Sequence, residues 1–100
     1  MTGFFSELDK QILEESGFIV QPRQAHLIGE FQKANGIGMV QFICSVHMGV
    51  SDAWVGGINR KIGGGLSSTE VNTVNDKDLS FVIAQLLQWK LVEETKILLS

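Results

Sequence analysis

The chain has no tyrosine, one cysteine, one proline and two histidines among its 100 residues. Each scarcity closes off a class of protein. A lone cysteine, Cys44, builds no internal disulfide framework, so a reducing, intracellular setting is the default expectation. A structural zinc site needs four ligands, and Cys44, His47 and His26 are the only cysteine and histidines present, so no metal is expected and Cys44 reads as a small buried hydrophobe. Only His26 and His47 offer near-neutral bases, and no spacing pairs either with a nucleophile. The chain is accordingly read as no enzyme, with no catalytic residue and no cofactor. "GGINRKIGGG" at 56–65 is glycine-rich with a lysine, but it lacks the order G-x-x-x-x-G-K-[ST] that a phosphate loop requires.

Long apolar runs are missing too. No uncharged stretch reaches the roughly 18 residues that a membrane span needs, and "MTGFFSELDKQILEES" acquires charge by residue 7, unlike a secretory leader. The expectation is a cytoplasmic domain with no membrane partner. Positive charge is also short: eight Lys+Arg stand against eleven Asp+Glu, for a net charge of −3. A nucleic-acid binder ordinarily carries the opposite excess. The deficit sits at the two ends, however. Between Gln21 and Ser67, Arg23, Lys33, Arg60 and Lys61 face only Glu30 and Asp52.

What the chain does have is apolar residues, 44% of the total, enough for one modest core. Their spacing reads as helices. Phe4, Phe5, Leu8, Ile12 and Leu13 recur at three- and four-residue steps over 4–15, and Gly17 is a natural stop. Pro22 suits a helix start, and Ala25, Leu27, Ile28, Phe31 and Ala34 continue at helical spacing to "NGIG". A third helix is expected over Met39–Met48. A fourth runs from Ser51, a good N-cap, to about Lys61. "LSSTEVNTVND" at 66–76 reads as loop or a short strand. Asp76 or Asp78 caps a last helix through about Glu94, with the tail as its extension or an edge strand. The fold expected is a compact all-α bundle of about five helices. Residues 1–20 form an N-terminal amphipathic helix available to a dimer or partner, ahead of a helical domain over 21–100.

Residues 41–60, "QFICSVHMGVSDAWVGGINR", set a small residue (Ser45), a turn residue (Gly49) and five apolar anchors (Cys44, Met48, Val50, Val55, Ile58) at the spacing two steeply crossed helices demand. The stretch resembles the helix-turn-helix of the Cro and repressor family of phages and bacteria. "GVS" stands at the turn, and the valine and isoleucine of "VGGI" stand at the family's hydrophobic pair. The resemblance implies a sequence-specific, dimeric transcriptional regulator of double-stranded DNA. It places Gln41, Ser51, Asp52, Asn59, Arg60 and Lys61 at the DNA, reading bases or pairing with phosphates. Gly56 and Gly57 depart from the pattern, since they lie where side chains project and have none. Each costs a helix about 1 kcal/mol relative to alanine and asks for a close backbone approach, to DNA or to another helix.

The competing expectation is a small acidic helical module that binds protein, as an inhibitor, antitoxin-like factor or adaptor does. The two diverge in what they expose. DNA binding gathers Arg23, Lys33, Gln41, Arg60 and Lys61 on one face; protein binding exposes an apolar patch from Phe4, Phe5, Phe42 or Trp54. The homodimer expected in the DNA reading would use residues 4–15 or the tail at 91–99.

Overall fold

The computed structural model describes residues 5–32, 39–62 and 68–99. A first helix, α1 (Glu7–Glu15), is followed by β1 (Ile19–Val20), β2 (Ala25–Gln32), β3 (Met39–Met48), β4 (Trp54–Ile62) and β5 (Thr69–Asp76). A long helix, α2 (Leu79–Leu99), closes the chain. The strands form one antiparallel sheet in the order β1-β2-β3-β4-β5. The expectation of an all-α bundle of about five helices is overturned: three of its helices are strands.

The reason is the period of the apolar residues. In β3 the buried residues are Val40, Phe42, Cys44 and Val46, every second one, and in β4 they are Trp54, Gly56 and Ile58. Side chains two apart share one face of a strand, whereas a helix would scatter them around its barrel. β-Branched residues at 40, 43, 46, 55, 58 and 62 add to the preference for pleated backbone. Pro22 starts no helix; it stands in the β1–β2 turn, where the Gln21 N–H donates to the Gln24 carbonyl at 3.0 Å.

Residues 41–60 are therefore no helix-turn-helix but most of the β3–β4 hairpin, paired from Val40↔Ile62 to Met48↔Trp54. Its turn closes with the Gly49 N–H on the Ala53 carbonyl at 2.8 Å. The residue that takes left-handed backbone there is Asp52 (φ 57°), a type that tolerates it, and not Gly49.

Both ends of the chain obey local signals. Ser6 caps α1 in a reciprocal box with Asp9. Gly17, at φ 95°, lets the Phe18 and Gly17 N–H groups reach back to the Leu13 and Glu14 carbonyls. At α2 the Asp78 carboxylate accepts from the Ser80 N–H at 3.0 Å. The tail proves to be helix through Leu99, not an edge strand.

α2 lies across one face of the sheet, touching β4 and β5 most and reaching β2 and β3. Leu79, Val82, Ile83 and Leu86 meet Phe42, Cys44, Val46, Trp54 and Ile58 in the core, and α1 adds Leu13. Gly56 is what lets α2 come this close. A β-carbon built on it would lie 2.6 Å from Val82 Cγ1 and 2.9 Å from Leu86 Cδ1. Phe42 and Trp54, proposed as an exposed patch, are buried instead, and Phe5 stacks on Trp54 with ring centroids 5.6 Å apart. Phe4 lies outside the described residues. No helix among the described residues is long and apolar enough to cross a membrane.

Candidate interaction face

Because α2 packs on one face of the sheet, the residues between the core positions look the other way. The register lines them up in rows across the strands. One row runs Ile19, His26, Ser45, Gly57, Thr73 over all five strands; the next is Ile28, Ile43, Asn59, Glu70. His47, Val55 and Asn75 form a third on one side, and Gln41 and Lys61 stand in a fourth on the other. No described helix packs on this face.

At its centre Ile28 and Ile43 are direct cross-strand neighbours, with Ile28 54% exposed. Such β-branched pairs are favoured on a pleat, and no described helix packs over this one, with Ile43 half-buried between its neighbouring strands. Beside them Gly57 contributes no side chain. The result is a shallow trough of about 240 Å³ lined by Ser45, Val55, Asn59 and Thr73. Gly57 has open room above it, for a β-carbon there would find its nearest neighbours at 3.7 and 3.9 Å, ordinary contact. The two glycines singled out in the sequence thus serve opposite faces: Gly56 admits α2, and Gly57 floors the trough.

Polar groups ring this centre. Ser45 Oγ and His26 Nδ1 are 3.2 Å apart across β2 and β3. The pair is the nearest thing in the described residues to a base beside a nucleophile. Its geometry is that of a cross-strand contact on flat sheet, with the serine on extended backbone rather than at a turn or helix start where N–H groups could converge on an oxyanion. It orients the imidazole.

The six residues assigned to DNA contact do not come together. Gln41, Asn59 and Lys61 share the open face. Arg60 falls on the α2 side of β4 by strand alternation, exposed near the sheet's edge. Ser51 and Asp52 lie in the β3–β4 turn, at the other end of the hairpin. Arg23 is in the β1–β2 turn, and Lys33 is outside the described residues. The recognition helix these positions were to share does not exist. Cys44 and His47, three apart in sequence, also point to opposite faces. Among the described residues no three His, Cys, Asp or Glu side chains gather as metal ligands.

Cys44 is fully buried beneath α2, with Sγ 3.9 Å from the Leu86 carbonyl. Burial pushes its thiol up to about 11, opposed by nearby Lys90 and reinforced by Glu94. A thiol held protonated in this way is a poor nucleophile.

No family model, curated protein or solved structure matches the chain.

Proposed function

We propose that the chain is a non-catalytic protein-binding module and that the open face of its sheet receives the ligand. One observation carries this reading: Ile28, exposed, and Ile43, half-buried, stand side by side with no described helix over them, next to a trough whose floor is a glycine. Apolar anchors beside a depression rimmed by hydrogen-bonding groups are the ingredients of a specific protein contact. Ser45, Asn59 and Thr73 supply donors and acceptors, and Lys61 and Glu70 supply one charge of each sign at the margin. The DNA reading rested on the helix-turn-helix, and no feature of the open face replaces it.

The test places a photo-activated cross-linker at Thr73, on the rim of the trough, in the cells that make the protein. A protein adduct that disappears in Ile43→Asp, with the circular dichroism of the variant unchanged, is the expected result. No adduct, or one indifferent to Ile43→Asp, removes the open face as a binding surface. Titration of labelled duplex DNA at two salt concentrations is the counter-measurement, since steeply salt-dependent binding would replace protein by nucleic acid as the ligand.

A further inference from the structure

α2 turns most of its charge inward, leaving only Lys96 largely exposed. Its four charged residues, Lys90, Glu93, Glu94 and Lys96, pair with one another, Lys90 with Glu94 at 2.6 Å and Lys96 with Glu93 at 2.8 Å. The first pair lies against the sheet, over Gly29, where Glu94 is only 9% exposed. The opposite face of the helix holds Phe81, Ala84, Gln88, Leu91, Thr95 and Leu98, flanked by Val92 and Leu99, and no charge at all. Leu91, Leu98 and Leu99 are 64%, 65% and 82% exposed. A surface helix normally does the reverse, burying its leucines and leaving its carboxylates in water. A helix apolar on both sides is a helix meant to be covered on both sides.

The spacing of the stripe suits a second helix. Residues 81, 84, 88, 91, 95 and 98 alternate steps of three and four, the repeat with which one α-helix packs along another. The other helix among the described residues, α1, has nine residues and is already engaged beside β1 and α2. Area points the same way. Phe81, Leu91, Val92, Leu98 and Leu99 are 44–82% exposed, so covering two stripes with each other removes at most about 1,200 Å², the low edge of specific interfaces and the size of a weak dimer. A lipid surface fits poorly, since interfacial helices carry a row of Lys and Arg along their polar side, and of the two lysines of α2 only Lys96 is exposed, its ammonium paired with Glu93.

We infer that the outer face of α2, from Phe81 to Leu98, is the seam of a homodimer in which α2 of one copy packs on α2 of the other. The seam lies on the opposite side of the sheet from the face proposed for protein binding, and neither assignment depends on the other. It is isologous, each stripe meeting its own copy across a two-fold axis. Gln88 is the polar position within it, the kind that fixes register at some cost in stability.

Sedimentation equilibrium of the full chain, from low micromolar to several hundred micromolar, is the test. A dimer is expected, and the double variant Leu91→Asp/Leu98→Asp is expected to raise its dissociation constant at least about 100-fold. Both positions are exposed in the single chain, so unchanged circular dichroism establishes that the variant is folded. Should it unfold, Thr95→Lys, a charge on the same seam at an already polar position, serves instead. Ile43→Asp, on the other face, is expected to leave the dimer intact. A wild-type monomer throughout this range overturns the inference. So does a dimer that survives the seam variants, or one that Ile43→Asp dissociates. Wild-type monomer that floats with anionic vesicles would assign the stripe to lipid and overturn it equally.

Discussion

Two adjacent glycines show how much a single hydrogen atom decides in this sheet. Gly56→Ala drives a methyl into Val82 and Leu86, which are packed and cannot withdraw; we expect a loss of about 1–3 kcal/mol, read as a fall in melting temperature. Gly57→Ala meets only ordinary contacts, and alanine removes conformational freedom from the unfolded chain. It is expected to be neutral or stabilising by up to about 1 kcal/mol. The same pair tests the trough, since the added methyl fills part of its floor and should weaken the photo-adduct at Thr73 without loosening the fold. Cys44 gives a second measurement at this scale. Its thiol is held protonated in the folded chain up to about pH 11, against 9.0 for the free group. Stability from this group is therefore fully present below pH 9 and is lost as pH rises through 11, because the unfolded thiol ionises first. Chemical denaturation between pH 8 and pH 11 should show this loss in the wild type. The part assignable to the thiol disappears in Cys44→Ala, itself less stable at neutral pH. Thiol reagents at pH 8 should label Cys44 only as the protein unfolds.

At the scale of elements, what could be read in the sequence depended on whether the signal was local. α1 and α2 show through apolar spacing and local stops and starts: Gly17 after the first helix end, and Asp78, one of two candidate caps, before the last helix; the Ser6–Asp9 box comes from the structure. The strands do not show in this way. Residues 25–32 carry Ala25, Leu27, Ile28 and Phe31, which satisfy a helical spacing as well as a pleated one, and only pairing with β3 selects the strand. In β4 the alternation is thinned by Gly56, a core position with no side chain to count. "GVSD" turns a chain sharply whether helices or strands flank it, so the resemblance over 41–60 recorded a turn between apolar anchors and mistook its flanks. The open face could not be read either, because its membership depends on which side of the sheet α2 covers. The Lys90–Glu94 pair is the element-scale prediction. Lys90→Met leaves Glu94 largely buried and unpaired, and a loss of about 3 kcal/mol is expected. Lys90→Met/Glu94→Leu should recover most of it, and a double-mutant cycle by urea denaturation measures the coupling.

At the scale of the molecule, the described residues form a single sheet with helix on one side, and two apolar regions that no described element covers lie on opposite surfaces. If α2 is a dimer seam, unfolding is linked to dissociation. The melting temperature should then climb with protein concentration in the wild type and stop doing so in Leu91→Asp/Leu98→Asp. Calorimetry over a fifty-fold concentration range would show either behaviour directly.

The order of the strands carries a last consequence, for speed. Every strand pairs with its neighbour in the chain, so the sheet can zip up one hairpin at a time without first bringing distant segments together. Short closures of this kind lose little chain entropy, and folds built from them cross their barriers quickly for an all-antiparallel sheet. The exceptions are the docking of α2, whose Lys90 and Glu94 lie over Gly29 of β2, and the stack of Phe5 on Trp54, which joins the front of the chain to the sheet. Rapid-mixing experiments should therefore see backbone dichroism develop ahead of the tryptophan signal, with the N-terminal segment closing over a sheet already assembled.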